Sequence, residues 1–134
     1  MAGIVFDNFT FRQGNNSAVG PDSSWGPTST RTTNSDISPT DKFSPHFVYL
    51  EASGAMYLAE KKIKAVGIDY LGIEHSQPGH PTHENLMHAD VAIIEGLRLG
   101  NVPAGKYIFV CLPLNVIGTE AAPARAILME KRSS

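Results

Sequence analysis

Three of the five histidines of this 134-residue chain fall within nine residues, His80-Pro81-Thr82-His83-Glu84-Asn85-Leu86-Met87-His88; the other two are His46 and His75. Clustered imidazoles beside a carboxylate point to a metal, because neutral imidazole is the commonest protein ligand for zinc-like ions. A solvated loop that holds histidines would show the same spacing, and spacing alone leaves both readings open. One motif is excluded. His83-Glu84 followed by His88 departs from the His-Glu-x-x-His pattern. Residues five apart on a helix lie about 140° apart around its axis, whereas residues four apart share a face. His83 and His88 therefore cannot clamp one ion from a regular helix, and a zinc-protease helix is ruled out.

Glu95 is the other carboxylate of interest. It follows the apolar run Val91-Ala92-Ile93-Ile94 and precedes Gly96-Leu97. A carboxylate at the end of a buried strand is costly unless it is paired or bound to a cation. Arg98 and Arg125 are candidate partners; a metal ion is the alternative.

Other chemistry finds less support. No Gly-x-Ser-x-Gly elbow is present. Val66-Gly67-Ile68-Asp69 holds a lone glycine and is no dinucleotide fingerprint, and no phosphate-cradling loop is expected. The single cysteine, Cys111, sits in the apolar run Tyr107-Ile108-Phe109-Val110-Cys111-Leu112. It reads as a small buried hydrophobe rather than a nucleophile, which would need an activating base and access.

The elements that must position these residues are uneven along the chain. Residues 1–41 are rich in Gly, Asn, Ser, Thr and Pro, with short strands expected at Met1–Phe6 and Phe9–Phe11. Residues 13–41 carry mostly turn chemistry. From Phe43 onward the pattern is regular. Phe47–Leu50 reads as a strand or a strand-like approach to a helix. Ala52, Ala55, Met56, Ala59 and Ile63 recur at helical spacing, which predicts a helix over Glu51–Lys62. Strands are expected at Ala65–Asp69, Val91–Ile94 and Tyr107–Leu112, with edge strands at Asn115–Gly118 and Ala124–Met129. Glu74–Thr82 reads as a polar loop and Glu84–Ala89 as a short helix. Strands and helices interleave, so the fold class is α/β or mixed α+β.

Composition sets the outer limits. Hydrophobic residues make up 42% and charged residues 18%, an ordinary globular balance. With 11 Lys+Arg against 13 Asp+Glu the net charge is −2, so no basic face for nucleic acid is expected. The N-terminus lacks the pattern of a signal peptide, and no apolar run approaches the roughly 20 residues of a membrane span. A soluble, cytoplasmic protein is expected.

Several segments, taken in order, resemble the cyclase family of metal-dependent hydrolases, which includes bacterial kynurenine formamidase. They are Arg31-Thr32-Thr33-Asn34-Ser35, Phe43-Ser44-Pro45-His46-Phe47-Val48-Tyr49-Leu50, Ala65-Val66-Gly67-Ile68-Asp69-Tyr70-Leu71, His83, Ile93-Ile94-Glu95-Gly96-Leu97, Val110-Cys111-Leu112-Pro113-Leu114 and Ala122-Pro123-Ala124-Arg125-Ala126. The resemblance covers about residues 29–130. It implies a partial swivelling β/β/α domain, a mixed sheet with helices packed outside. It implies that His83 and Glu95 bind one metal of a usually two-metal site, zinc or manganese. It also implies an ancestral activity, hydrolysis of a formamide or cyclic amide C–N bond.

Two departures qualify it. The family's His-x-Gly-Thr-His-x-Asp-x-Pro-x-x-His segment has no counterpart here, and Gly72 stands where many relatives have serine. One imidazole and one carboxylate hold a divalent ion only weakly, since catalytic zinc normally takes three protein ligands. Low occupancy and an incomplete enzyme are therefore expected of the isolated chain, with a non-catalytic binding or oligomerisation module as the alternative. Residues 1–28 read as an atypical arm and 29–134 as a truncated cyclase-like domain. Exposed sheet edges further predict a homo-oligomer, a dimer, or a complementing N-terminal half, with a small molecule as substrate.

Overall fold

The structure, a computed structural model, describes residues 4–11, 42–45, 47–103 and 105–130, with the backbone alone for 4–11 and Gly105. The expected turn-rich stretch 13–41, the boundary between residues 28 and 29, and His46 lie outside the described residues. The chain divides into two compact units, one formed by residues 1–12 with 103–134 and the other by residues 13–102. Helices and strands together make an α/β chain, as the alternation of elements predicts, with both helices in the 13–102 unit.

In the 13–102 unit, helix α1 spans Ala52–Glu60 and buries Gly54, Ala55 and Leu58. Met56, expected on the apolar stripe, stands 54% exposed, because the buried face centres on Ala55 and Leu58. The helix stops where Lys61 and Lys62 donate their N–H groups to Tyr57 and Ala59 and Lys62 turns left-handed (φ 53°). Strand β2, Ala65–Gly67, and a second helix, α2, at Pro81–His88 follow. Strand β3, Ala92–Ile94, then pairs with β2 in parallel, Val66 opposite Ile93. Parallel neighbours need a crossover between them, and α2 lies within it.

Bonds beyond the short strands extend the pairing: Ala92 N–H donates to the Lys64 carbonyl, Ile68 N–H to Ile94, and Leu97 N–H to Ile68. Phe47, Leu50, Ala55, Leu58, Val66, Ile68, Tyr70, Ile73, Leu86 and Val91 form the core. Phe47 stacks on Tyr70 at 4.4 Å between ring centroids. The Tyr70 hydroxyl closes the approach to that stack, accepting from Ser44 N–H and donating to its carbonyl.

The other unit is an antiparallel sheet of order β1-β4-β5. The two short N-terminal strands expected from sequence are one strand, β1 at Ile4–Phe11, interrupted by a register shift between Phe6 and Phe9. Strand β4 runs Gly105–Pro113 and β5 runs Ala124–Glu130. Alternation along β4 buries Tyr107, Phe109 and Cys111. The thiol of Cys111 is pushed up by that burial, in keeping with an inert small hydrophobe.

Asn115–Gly118 is not an edge strand. Val116 N–H turns back to the Leu114 carbonyl and Gly118 adopts φ 78°, which ends any extended run. Gly100 to Lys106 has the spacing Gly-x-x-x-x-Gly-Lys, but Tyr107 follows and the lysine enters β4. A phosphate cradle needs a helix N-terminus there, so none is formed. Among the described residues, no helix is long and apolar enough to cross a membrane.

Candidate metal centre

Helix α2 begins three residues earlier than its apolar pattern suggests, at Pro81, whose missing N–H costs nothing in the first turn. Its N-cap position is held by His80, in the left-handed region (φ 46°) and making no side-chain cap. The cap comes instead from Glu74, in the preceding loop. Glu74 Oε2 accepts the N–H of Thr82 at 2.8 Å and of His83 at 3.1 Å. These are orphan donors of the first turn, and a carboxylate there also meets the positive end of the helix dipole. Thr82, fully buried, donates its hydroxyl to the Leu50 carbonyl at 2.9 Å and ties the same turn to the core.

Glu74 is 7% exposed. Its other oxygen, Oε1, accepts from His80 Nδ1 at 2.6 Å. Burial by itself would raise this carboxyl. The His83 N–H and the imidazoles of His80 and His83 outweigh it, so the group sits below its ordinary value of 4.5.

The imidazole of His83 lies between two carboxylates. Nδ1 is 3.3 Å from Glu74 Oε2 and Nε2 is 3.5 Å from Glu95 Oε1. Nδ1 is buried, and no well-formed hydrogen bond reaches it, so the contact with Glu74 is chiefly electrostatic. Glu95 is not the buried strand-end carboxylate expected from the sequence: its side chain is 33% exposed. It is held by the N–H of Ile73, which donates to Oε1 at 2.7 Å. Gly96, left-handed at φ 71°, turns the chain directly after it and donates its N–H to the Tyr70 carbonyl. A salt bridge from Glu95 to Arg98 or Arg125 is not among the ion pairs of the described residues.

The structure thus brings His83 and Glu95 together and adds His80, from the histidine cluster, and Glu74, which the sequence left in a polar loop. Glu74, His80 and His83 offer ligand atoms within 4.8 Å of one another, enough to hold a metal ion. Glu74 Oε2 is taken up by the two backbone N–H groups, while His83 Nε2 faces Glu95 Oε1, which also accepts the Ile73 N–H. His88 is exposed at the end of α2. His75 stacks on Phe47, with Nε2 3.2 Å from the Pro45 carbonyl. A signal for Glu74 was present: Pro81 announces a helix start, position 80 holds a poor cap, and the first-turn donors then require an acceptor from elsewhere.

No family model matches the chain. Individual proteins do. A kynurenine formamidase from Salinibacter ruber is 33% identical over 99 residues, covering 73% of this chain and 47% of that protein. Cyclase-like protein 3 of Arabidopsis thaliana is 37% identical over 91 residues, 66% of this chain and 34% of its own. Among solved structures, a potential metal-dependent hydrolase with cyclase activity aligns with a TM-score of 0.65 at 52% identity, covering 69% of this chain and 46% of that one. A predicted metal-dependent hydrolase from Bacillus stearothermophilus aligns at 0.66 and 50% identity, covering 72% and 46%. The chain spans about a third to a half of the length of the relatives it matches.

Proposed function

Because the chain belongs to the cyclase-like family over its matched residues, we propose that it supplies one side of the metal site of an amide hydrolase, acting on a formamide or cyclic amide. The observation that carries this reading is the pairing of His83 Nε2 with Glu95 Oε1 across 3.5 Å. Two ligands of a tetrahedral ion at ~2.0–2.1 Å each lie about 3.4 Å apart, so the separation of this pair suits a shared ion. Histidine and carboxylate donors suit zinc or manganese.

The chain's own residues do the positioning. Ile73 N–H fixes one oxygen of Glu95, and the capped first turn of α2 fixes the backbone of His83. A divalent ion bound there would polarise the amide carbonyl and activate water for its hydrolysis. Two donors fall short of the three that catalytic zinc takes from protein. The reading therefore requires further ligands, from a partner chain, another subunit or a local replacement within this chain.

The test is metal content and amidase activity of the purified protein, alone and mixed with the other half of a relative. Zinc or manganese bound in the mixture, and lost in both His83→Ala and Glu95→Ala, supports the proposal. An equal metal content in wild type and both variants would refute it.

A second reading, a non-catalytic association module, is favoured by one observation. Leu112, Leu114, Val116, Ile117, Ile127 and Met129 are each 41–94% exposed. Large apolar side chains exposed on one small sheet and the turn after β4 suit a covering partner. Sedimentation as a dimer, with no metal bound in any mixture, would favour this reading over the first.

A further inference from the structure

Resting on the reading of His83 and Glu95 as metal ligands, we infer that Glu74 is a positioning residue that keeps the ring proton of His83 on Nδ1 and so leaves Nε2 free for a cation. A neutral imidazole carries one proton, and the two nitrogens of His83 face different carboxylates. Glu95 lies 3.5 Å from Nε2; Glu74 lies 3.3 Å from Nδ1. If Glu95 holds the proton, Nε2 is a donor and cannot ligate. If Glu74 holds it, Nε2 presents a lone pair.

Two features give the proton to Glu74. It is the closer carboxylate. Its side chain is 2% exposed against 33% for Glu95, and charge acts more strongly where water is excluded. Oε2 already accepts the N–H groups of Thr82 and His83 and Nδ1 has no well-formed hydrogen bond, so the hold of Glu74 on the Nδ1 proton is electrostatic. The same Oε2 that faces Nδ1 accepts the backbone N–H of His83, so one oxygen fixes both the helix turn and the ring it carries. Carboxylates that hold the far nitrogen of a ligating histidine typically set its metal affinity within about 10- to 100-fold.

The experiment is 15N NMR of histidine-labelled, chelator-treated protein at a pH where His83 is neutral, followed by zinc titration. Wild type should show His83 protonated on Nδ1. Glu74→Gln keeps a carbonyl oxygen for the cap but removes the charge. It should move the proton toward Nε2 and weaken zinc binding by about 10- to 100-fold. Glu95→Gln should weaken zinc while leaving the Nδ1 proton in place.

A wild-type ring protonated on Nε2 overturns the inference, and this reading stands even if Glu74→Gln fails to fold. An unchanged tautomer and unchanged zinc affinity in folded Glu74→Gln also overturn it. If wild type binds no zinc in any mixture, the proposed function fails, and the tautomer alone decides the role of Glu74.

Discussion

In the unit built on β2 and β3, a carboxylate is buried and still fully engaged: Glu74 accepts two backbone N–H groups and an imidazole, all within ten residues of itself. In the antiparallel sheet the disposition is reversed. Its polar backbone is paired along β4, while Ile127 and Met129 on β5 stand 42% and 44% exposed and Ile117 stands 94% exposed. The first region turns its interactions inward and aims side chains at a point. The second leaves apolar surface facing outward. Precision in this chain therefore resides around α2, and exposed apolar side chains gather on β5 and just after β4.

Three substitutions sharpen or break that contrast. The largest effect is expected from Leu58→Ala, which empties a site 1% exposed in the core and should cost about 3 kcal/mol by denaturant unfolding. A loss under about 1 kcal/mol would mean the α1 face is loosely packed.

Glu74→Ala comes next. Removing a buried cap that serves two N–H groups should cost about 2 kcal/mol. The pH dependence follows from the lowered carboxyl. Its stabilising contribution is present above the ordinary value of 4.5 and is lost as pH falls through the lower folded value. Wild type should therefore lose stability below pH 4.5, and Glu74→Ala should lack that share of the acid sensitivity. Parallel acid-unfolding curves for the two proteins would remove Glu74 from this role.

The smallest effect on stability belongs to Ile127→Lys in the sheet, within about 0.5 kcal/mol. Its consequence should appear in sedimentation instead, as dissociation of any dimer. A large loss of stability in this variant would show that the face is part of a folded core.

Legibility followed the same division. Apolar runs marked β2, β3 and β4, because buried strands need little more than continuous hydrophobicity. The stripe Ala52, Ala55, Met56, Ala59 and Ile63 marked α1, although it missed the buried Leu58. His83 stood out in the histidine cluster and Glu95 after an apolar run, and the resemblance paired them; their meeting depends on β3 returning beside Ile73, a tertiary fact that spacing does not contain. Glu74 escaped because its neighbours in sequence, Ile73 and His75, show no helical or strand period. Its role is set by a reach of eight and nine residues to Thr82 and His83. Asn115–Gly118 misled for a related reason: apolar Val116 and Ile117 read as strand, but a left-handed glycine beside them closes a turn.

Gly67 carries a consequence for the whole site. A β-carbon placed there would come within 2.6 Å of Leu97 Cδ1. Leu97 thus occupies the room that a side chain on β2 would claim, and the segment after β3 settles against that bare backbone. The atom in the way is the end of a flexible side chain, while the Ile94 carbonyl stands at 3.6 Å. A methyl group at Gly67 would therefore turn Leu97 aside and leave the backbone that carries Glu95 where it is, so the site tolerates change on β2 that its own side chains would not.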